Sequence, residues 1–155
     1  MAHLLAPQAS NPNLPVFFNV DGVVGAPPAA NKREDVLLVQ FAFKIISESA
    51  IATSEPVVTE AARAVTMSGI ADPATINAIR VFQQARIARG AAGTVVDGRV
   101  SPAKEGYAFG RGIWTIVVLN ESLQARNVQV WPRIDQIPGC PNELQQMVVR
   151  TVQGV

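Results

Sequence analysis

The residue types that carry most enzyme chemistry are scarce in this 155-residue chain. It has one histidine, His3, and one cysteine, Cys140. A Ser–His or Cys–His pair needs both partners, and a zinc site needs several His or Cys ligands. Cys140 stands in a Pro-Gly-Cys-Pro turn sequence, where we interpret it as a partly buried small hydrophobic side chain. The sequence therefore predicts neither nucleophilic catalysis nor a metal site.

Phosphate and carboxylate chemistry is also weakly supported. The common glycine-rich phosphate loops do not occur, and Gly110-Arg111-Gly112 is only a fragment of one. Paired carboxylates could make a glycosidase. Five of the 12 Asp and Glu residues, however, fit helix starts or Asp-Gly turns, namely Asp21, Glu34, Asp72, Asp97 and Glu143. We therefore expect a protein that is not an enzyme and that uses no cofactor.

The composition favours a protein that contacts other proteins. Hydrophobic residues make up 48% of the chain and charged residues 16%, which is below the usual quarter. Such an apolar surplus often lies against a partner chain. The net charge of +1 offers no basic surface for nucleic acid. Neither a signal peptide nor a run of about 18 apolar residues is present, so we expect synthesis in the cytoplasm without membrane insertion.

The first helix is predicted to run from Asn31 to about Ser47. Asn31 is interpreted as its N-cap, and Glu34, three residues on, completes a capping-box pattern. Apolar residues recur along it at helical spacing: Val36, Val39, Phe43 and Ile46. The neighbouring faces are apolar too, so we expect this helix to be central or partly buried by another subunit.

The clearest helix in the sequence opens at Asp72. Asp72 is the predicted N-cap, Pro73 occupies the first helical position, and Gly90 fits the C-cap. The outer side of this helix is predicted to carry Arg80, Gln83, Gln84 and Arg89.

The remaining elements are shorter. Residues 49–67 are interpreted as a short helix or a loop, a third main helix is predicted from after Gly112 to about Gln124, and Asn142 is predicted to cap a last helix. Residues 16–24 are interpreted as a short strand or a hairpin around Asp21-Gly22, and residues 128–134 as an extended segment.

Three short motifs stand in order between residues 31 and 120. Residues 68–83 read Ser-Gly-Ile-Ala-Asp-Pro-Ala-Thr-Ile-Asn-Ala-Ile-Arg-Val-Phe-Gln, and residues 34–40 read Glu-Asp-Val-Leu-Leu-Val-Gln. Residues 96–102, Val-Asp-Gly-Arg-Val-Ser-Pro, are followed by 114–120, Trp-Thr-Ile-Val-Val-Leu-Asn. Together they resemble the motifs of the peptidoglycan-binding-like domain family, D-G-x-x-G-P-x-T-x-x-A-[IV]-x-x-F-Q, D-V-x-x-V-Q and D-G-R-[IV]-x-P-…-T-x-x-x-L-N.

The resemblance implies a mainly α, compact three-helix bundle with irregular or short-strand terminal extensions. It divides the chain into an N-terminal arm with a short strand or hairpin (1–30), a helical domain (31–126) and an extension with a short helix (127–155). Its structural motif positions are Asp35, Gln40, Pro73, Thr75, Phe82, Asp97 and Gly98. Its expected ligand-binding residues are Arg80, Gln83, Gln84, Arg99, Tyr107 and Trp114. The chain departs from the family motif at Ser68 and Asp72, where the family has Asp and Gly.

The function that the resemblance implies is a non-enzymatic module that binds peptidoglycan. Because no export signal is present, we expect the module to work within a larger particle, such as a phage or a contractile injection machine. The alternative is a structural or assembly protein of such a particle that has lost wall binding, and a cell-wall hydrolase ranks third. The expected partners are peptidoglycan or neighbouring protein subunits, in a homo-oligomer or a particle.

Overall fold

The computed structural model describes residues 2–5, 17–48, 55–90, 94–103 and 114–153. Within these ranges the fold is mainly α, as predicted, with the helices α1 (Arg33–Glu48), α2 (Pro56–Arg63), α3 (Pro73–Ala88), α4 (Thr115–Arg126) and α5 (Asn142–Gln153). Short strands form two antiparallel pairs, β1 (His3–Leu5) with β2 (Phe17–Asn19) and β3 (Val24–Gly25) with β4 (Arg99–Val100). A 3₁₀ turn, Ile134–Gln136, precedes α5.

Helix α1 is the centre of the fold. It contacts α2, α4, α5 and β3, and it is buried on nearly every side, as its apolar sequence predicted. The rings of Phe43 and Phe82 meet edge to face, with centroids 6.0 Å apart, which is a favourable aromatic geometry. Phe82 of α3 therefore packs on the first helix, as predicted.

The segments on either side of the helical region share its hydrophobic core. Phe18 from β2, Ile134 from the 3₁₀ turn and Leu144 from α5 are all fully buried in one cluster with α1. Trp131 packs edge to face on Phe18, with ring centroids 5.6 Å apart. Removing any of these side chains would leave a cavity in a core that both ends of the chain help to fill.

The hairpin interpretation of residues 16–24 is wrong, although β2 is a strand. β2 and β3 pair with β1 and β4, and not with each other. The Asp21-Gly22 turn between them is held instead by the buried carboxylate of Asp35, which accepts hydrogen bonds from Asp21 N (3.1 Å) and Gly22 N (2.9 Å). A motif position of α1 thus fixes a distant turn.

The capping box at the start of α1 is also wrong. Asn31 lies two residues before the helix with φ of 50°, and its amide pairs with the N–H and C=O of Gly25, at 2.7 and 3.0 Å. The first helical bond joins Val36 N to Lys32 O. Glu34 pairs with Arg150 of α5 at 2.9 Å.

The other boundaries follow the sequence more closely. Asp72 caps α3 as predicted, with its Oδ1 accepting from Thr75 N (2.9 Å) and Thr75 Oγ1 (2.6 Å). These bonds, the hydroxyl first, lower the pKa of Asp72 below its ordinary value. Gly90, with φ of 83°, follows α3 in the left-handed conformation that ends many helices.

Two predictions near the C-terminal end need correction. Residues 128–134 are not extended, since Trp131 N and Val130 N both bond to Asn127 O in consecutive turns that lead into the 3₁₀ turn. Asn142 is the first residue of α5 and not its cap, because the first helical bond runs from Gln145 N to Pro141 O.

Gly25 and Gly90 give a matched test of this backbone. Both have positive φ, but a Cβ on Gly25 would lie 2.0 Å from Gly98 O, whereas no described residue has an atom within 4 Å of a Cβ on Gly90. We expect Gly90→Ala to lower the free energy of unfolding by about 1–2 kcal/mol, the cost of a left-handed alanine. Gly25→Ala should cost more than about 3 kcal/mol, since the β3–β4 pair must also shift.

Urea denaturation of both variants, followed by far-UV circular dichroism, measures the two costs. Equal costs at the two positions would contradict the close approach of Gly25 to the 97–99 turn.

Candidate functional site

The turn after α3 is held by one buried side chain, Gln83. Its Oε1 accepts from Gly98 N (3.0 Å) and Asp97 N (3.2 Å). Its Nε2 donates to Arg99 O (2.9 Å), Asp97 Oδ1 (3.1 Å) and Thr115 Oγ1 (3.2 Å). We call this arrangement the Gln83 clasp. Because Gln83 is 2% exposed, the prediction that it lies on the outer side of the helix is wrong.

A second buried glutamine holds the turn before α3 in the same way. Gln40 Oε1 accepts from Gly69 N (2.8 Å), and its Nε2 donates to Ile70 O (2.9 Å), Thr75 Oγ1 (3.1 Å) and Ser68 Oγ (3.4 Å). Each glutamine therefore binds the N–H of a glycine, the C=O of the next residue and the hydroxyl of a threonine that starts a helix. We call this arrangement the Gln40 clasp.

The two clasps are related, although their spacing in the chain differs. Ser68 and Asp97 occupy the same place, since each side chain also accepts from the N–H two residues on. The separation is 28 residues from Gln40 to Ser68 and 14 residues from Gln83 to Asp97. Because these separations differ, the two clasps do not form a repeat of fixed period in the sequence. Ser68, the departure from the family motif, still serves as the turn acceptor.

Beside the Gln83 clasp lies a cleft of about 180 Å³. Its described walls come from α3, from the 94–101 segment and from the start of α4. They include Gln83, Asp97, Arg99, Ser101, Trp114 and Thr115. Val95, with 65% of its surface exposed, completes the rim. The clasp fixes this wall, because Gln83 bonds to three of its residues. The cleft is therefore a preformed concave site with polar and apolar walls.

Three of the six predicted ligand-binding residues line this cleft: Gln83, Arg99 and Trp114. Both polar atoms of the Gln83 side chain form the hydrogen bonds of the clasp. Arg99 Nε donates to Ala26 O (3.0 Å), and its Nη2 donates to Pro27 O, so this cation also holds the loop after β3. Trp114 is half-buried against the core and immediately precedes α4.

The other three predicted ligand-binding residues lie elsewhere. Arg80 covers the outer face of the same turn, since a Cβ on Gly98 would lie 2.9 Å from Arg80 Nε. Gln84 lines a separate groove between α2 and α3. Tyr107 lies outside the described residues. Arg80 therefore lies against the turn that contributes to the cleft but does not line the cleft, and Gln84 lines a different groove.

Sequence reasoning missed Ser101, Thr115 and Val95 as residues of the cleft. Ser101 and Thr115 belong to the D-G-R-[IV]-x-P-…-T motif, where they were treated as parts of a turn and a helix start. The signal that could have found Thr115 is its likeness to Thr75, which takes the same place in the Gln40 clasp. Nothing in the sequence singles out Val95.

Most described carboxylates have structural partners. Asp21 pairs with Lys32 at 3.0 Å, which lowers its pKa to about 2, and Asp135 pairs with Arg133 at 2.6 Å, which also lowers its pKa. Glu143 pairs with Arg33 at 3.0 Å. In the described ranges no group of three or more His, Cys, Asp or Glu could hold a metal ion.

Comparison of the chain with protein-family models, curated proteins and solved structures finds no match. The resemblance to peptidoglycan-binding-like domains therefore rests on the motif residues. Among the helices that the structure describes, none has the length and apolarity to span a bilayer.

Replacing Gln83 tests the clasp. Gln83→Leu keeps the volume but leaves the buried Gly98 N–H without its acceptor, so we expect the free energy of unfolding to fall by about 2 kcal/mol or more. The matched control is Gln84→Leu, one residue away on an exposed position, which should change it by less than about 0.5 kcal/mol. Chemical denaturation measures both variants. Equal values would show that the clasp does not stabilise the fold.

The Cys140 thiol gives a further prediction. Burial, and then the nearby Asp135 charge, raise its pKa to about 12, so almost none of it is the reactive thiolate near neutral pH. At pH 8 we expect a disulfide reagent to react more than about a hundredfold slower with the folded protein than with the protein in guanidinium. Comparable rates would contradict this burial.

Proposed function

We propose that this chain is a non-enzymatic module that binds peptidoglycan through the cleft beside the Gln83 clasp. The observation that carries the proposal is that Trp114, Arg99 and Asp97, from the two segments of the third motif, line one preformed cleft. An aromatic face beside a few fixed polar groups is the usual composition of a small-ligand site. Of the residues that the resemblance implies as ligand-binding, Gln83, Arg99 and Trp114 therefore line the same cleft.

The rigidity of the cleft supports a recognition role. Gln83 joins the 97–99 turn to Thr115 of α4, and Arg99 joins that turn to the loop after β3. A wall that is ordered before the ligand arrives loses little conformational entropy on binding. The site therefore suits a weak, neutral ligand that cannot supply the energy to order a loop.

A non-enzymatic role agrees with the use of the described carboxylates. Within the cleft, Asp97 is the only described carboxylate, and its Oδ1 is part of the clasp. Glycosidases need a second carboxyl group roughly 5–10 Å from the first. The described lining offers no such partner, so binding is the simpler activity.

A second candidate function is assembly with neighbouring subunits, which the α2–α3 groove favours. This groove has a volume of about 450 Å³, and five of its described lining residues are aliphatic: Val57, Val58, Val81, Ala85 and Ala88. Glu55, Gln84 and Arg89 also line it. Val57 has 65% of its surface exposed. Exposed apolar surface of this kind is typical of protein contacts. Under this alternative the chain is a structural component of a phage or injection particle and does not bind the wall.

Work within a particle is part of the proposal in both cases. A phage virion or an injection machine reaches the cell wall itself and carries its modules there. The wall-binding module would then use the cleft toward the wall and the α2–α3 groove toward the particle. The neighbouring genes of the coding sequence provide an inexpensive check of this setting.

Sedimentation with purified peptidoglycan sacculi tests the proposal. We expect the purified protein to pellet with sacculi, and Trp114→Leu to weaken this binding about tenfold, which corresponds to about 1.4 kcal/mol. Trp131→Leu is the matched control, because Trp131 is the other tryptophan and packs on Phe18, outside the cleft. The fraction bound is measured over a range of sacculi concentrations.

Other results would favour the alternatives. A protein that stays in the supernatant, and that forms oligomers by light scattering, would support assembly in place of wall binding. A fall in the turbidity of sacculi that Asp97→Asn abolishes would support a hydrolase and contradict a non-enzymatic role. Equal weakening of sacculi binding by both tryptophan variants would indicate that the wall polymer does not bind in the cleft.

A further inference from the structure

The cleft presents one clear hydrogen-bond acceptor to a ligand. Asp97 Oδ1 already accepts from Gln83 Nε2 (3.1 Å) and from Arg99 N (2.9 Å). The other oxygen, Oδ2, accepts no hydrogen bond from the described residues. Since a carboxylate oxygen in a cleft gains from a donor, Oδ2 is the atom that a ligand N–H or O–H would meet.

Hydroxyl donors line the same cleft. Thr115 Oγ1 accepts from Gln83 Nε2 at 3.2 Å, which leaves its own proton for another acceptor. Ser101 also lines the cleft, and its hydroxyl is not hydrogen-bonded to any other described residue. A ligand carbonyl can accept from either hydroxyl. The lining therefore suits a group that has one donor and one acceptor close together.

Two of the described lining residues are apolar, Trp114 and Val95. Trp114 is half-buried, and Val95 has 65% of its surface exposed. A small alkyl group placed between these side chains would remove apolar surface from water on both sides. A secondary amide that ends in a methyl group combines all three properties, namely an N–H, a C=O and a small apolar end.

We propose that the cleft receives the N-acetyl group of an amino sugar in the glycan strand, an inference that rests on the proposed wall-binding function. The acetamido N–H donates to Asp97 Oδ2, and its carbonyl accepts from the hydroxyl of Ser101 or Thr115. The methyl group packs between Trp114 and Val95.

Size and charge favour this substituent over the peptide part of the polymer. At about 180 Å³ the cleft is below the roughly 300–1,000 Å³ of sites that enclose a whole ligand, so a single substituent enters it. Arg99 also lines the cleft, and its Nε and Nη2 donate to the carbonyls of Ala26 and Pro27. The opposite charges of Asp97 and Arg99 leave the described lining without net charge, which suits an uncharged acetamido group.

The test compares two neutral oligosaccharides that differ in the acetamido group. The full chain is titrated with the tetramer of N-acetylglucosamine and with the tetramer of glucose, which has a hydroxyl in place of each acetamido group, and binding is followed by NMR shifts or calorimetry. We expect the acetylated tetramer to bind at least tenfold more tightly. A synthetic stem pentapeptide is the third ligand, and we expect it to bind more weakly than the acetylated tetramer.

Asp97→Asn tests the acceptor in the protein. Asparagine keeps the oxygen that Gln83 and Arg99 use but replaces Oδ2 with an N–H donor, so affinity for the acetylated tetramer should fall at least tenfold. Glu60→Gln is the matched control, because it makes the same charge change on the exposed surface of α2 and should leave affinity unchanged. Should Asp97→Asn unfold, Ser101→Ala replaces it, with an expected loss of about threefold, and the ligand comparison on the unmodified protein stands by itself.

Equal affinity for the two tetramers, or tighter binding of the pentapeptide, would overturn the inference. Pelleting with sacculi without any binding of the acetylated tetramer would also overturn it while leaving the wall-binding function in place. Failure of both experiments would overturn the function and the inference together.

Discussion

The fold depends on side-chain amides that take the place of missing strand neighbours. In the described part of the chain, five Asn and Gln side chains each accept a backbone N–H and donate to a backbone C=O. They are Asn19 on Ala103, Asn31 on Gly25, Gln40 on Gly69 and Ile70, Gln83 on Gly98 and Arg99, and Asn120 on Phe18. Strands of two or three residues form too few hydrogen bonds to pair the N–H and C=O groups of the loops around them. Buried peptide groups must nevertheless find partners.

Amides suit this task because they carry a donor and an acceptor with the spacing of a peptide group. A carboxylate would satisfy the N–H and repel the C=O, and an aliphatic side chain would leave both unpaired at a cost of about 1–3 kcal/mol for each buried group. Asp35 shows the other case, because the Asp21-Gly22 turn presents two N–H groups and a carboxylate accepts both. The choice between amide and acid at each buried position thus follows from what the backbone presents.

This dependence also explains which parts of the structure were predictable from the sequence. Helices α1, α3 and α4 could be predicted because their signals are local, in the periodicity of apolar residues and in the Asp72-Pro73 start. The strand partners, the role of Asn31 and the burial of Gln83 could not, because their causes are distant in the chain. Asn120 and Phe18, for example, are 102 residues apart. A polar residue on a helix is usually solvated, and only the packed 97–99 turn makes Gln83 an exception.

The cleft could be predicted only in part for the same reason. Arg99, Asp97 and Trp114 were identified from motifs, yet most of those motif positions serve the fold: Gln83 and Asp97 Oδ1 form the clasp, and Arg99 holds the loop after β3. A chain can therefore keep them whether or not it binds a ligand. The groups that the fold does not use are Asp97 Oδ2, the Ser101 hydroxyl and the open face of the cleft at Val95. Wall binding must be judged at these groups, because a chain selected for folding alone has no need to keep an acceptor, a donor and an apolar wall around one cleft.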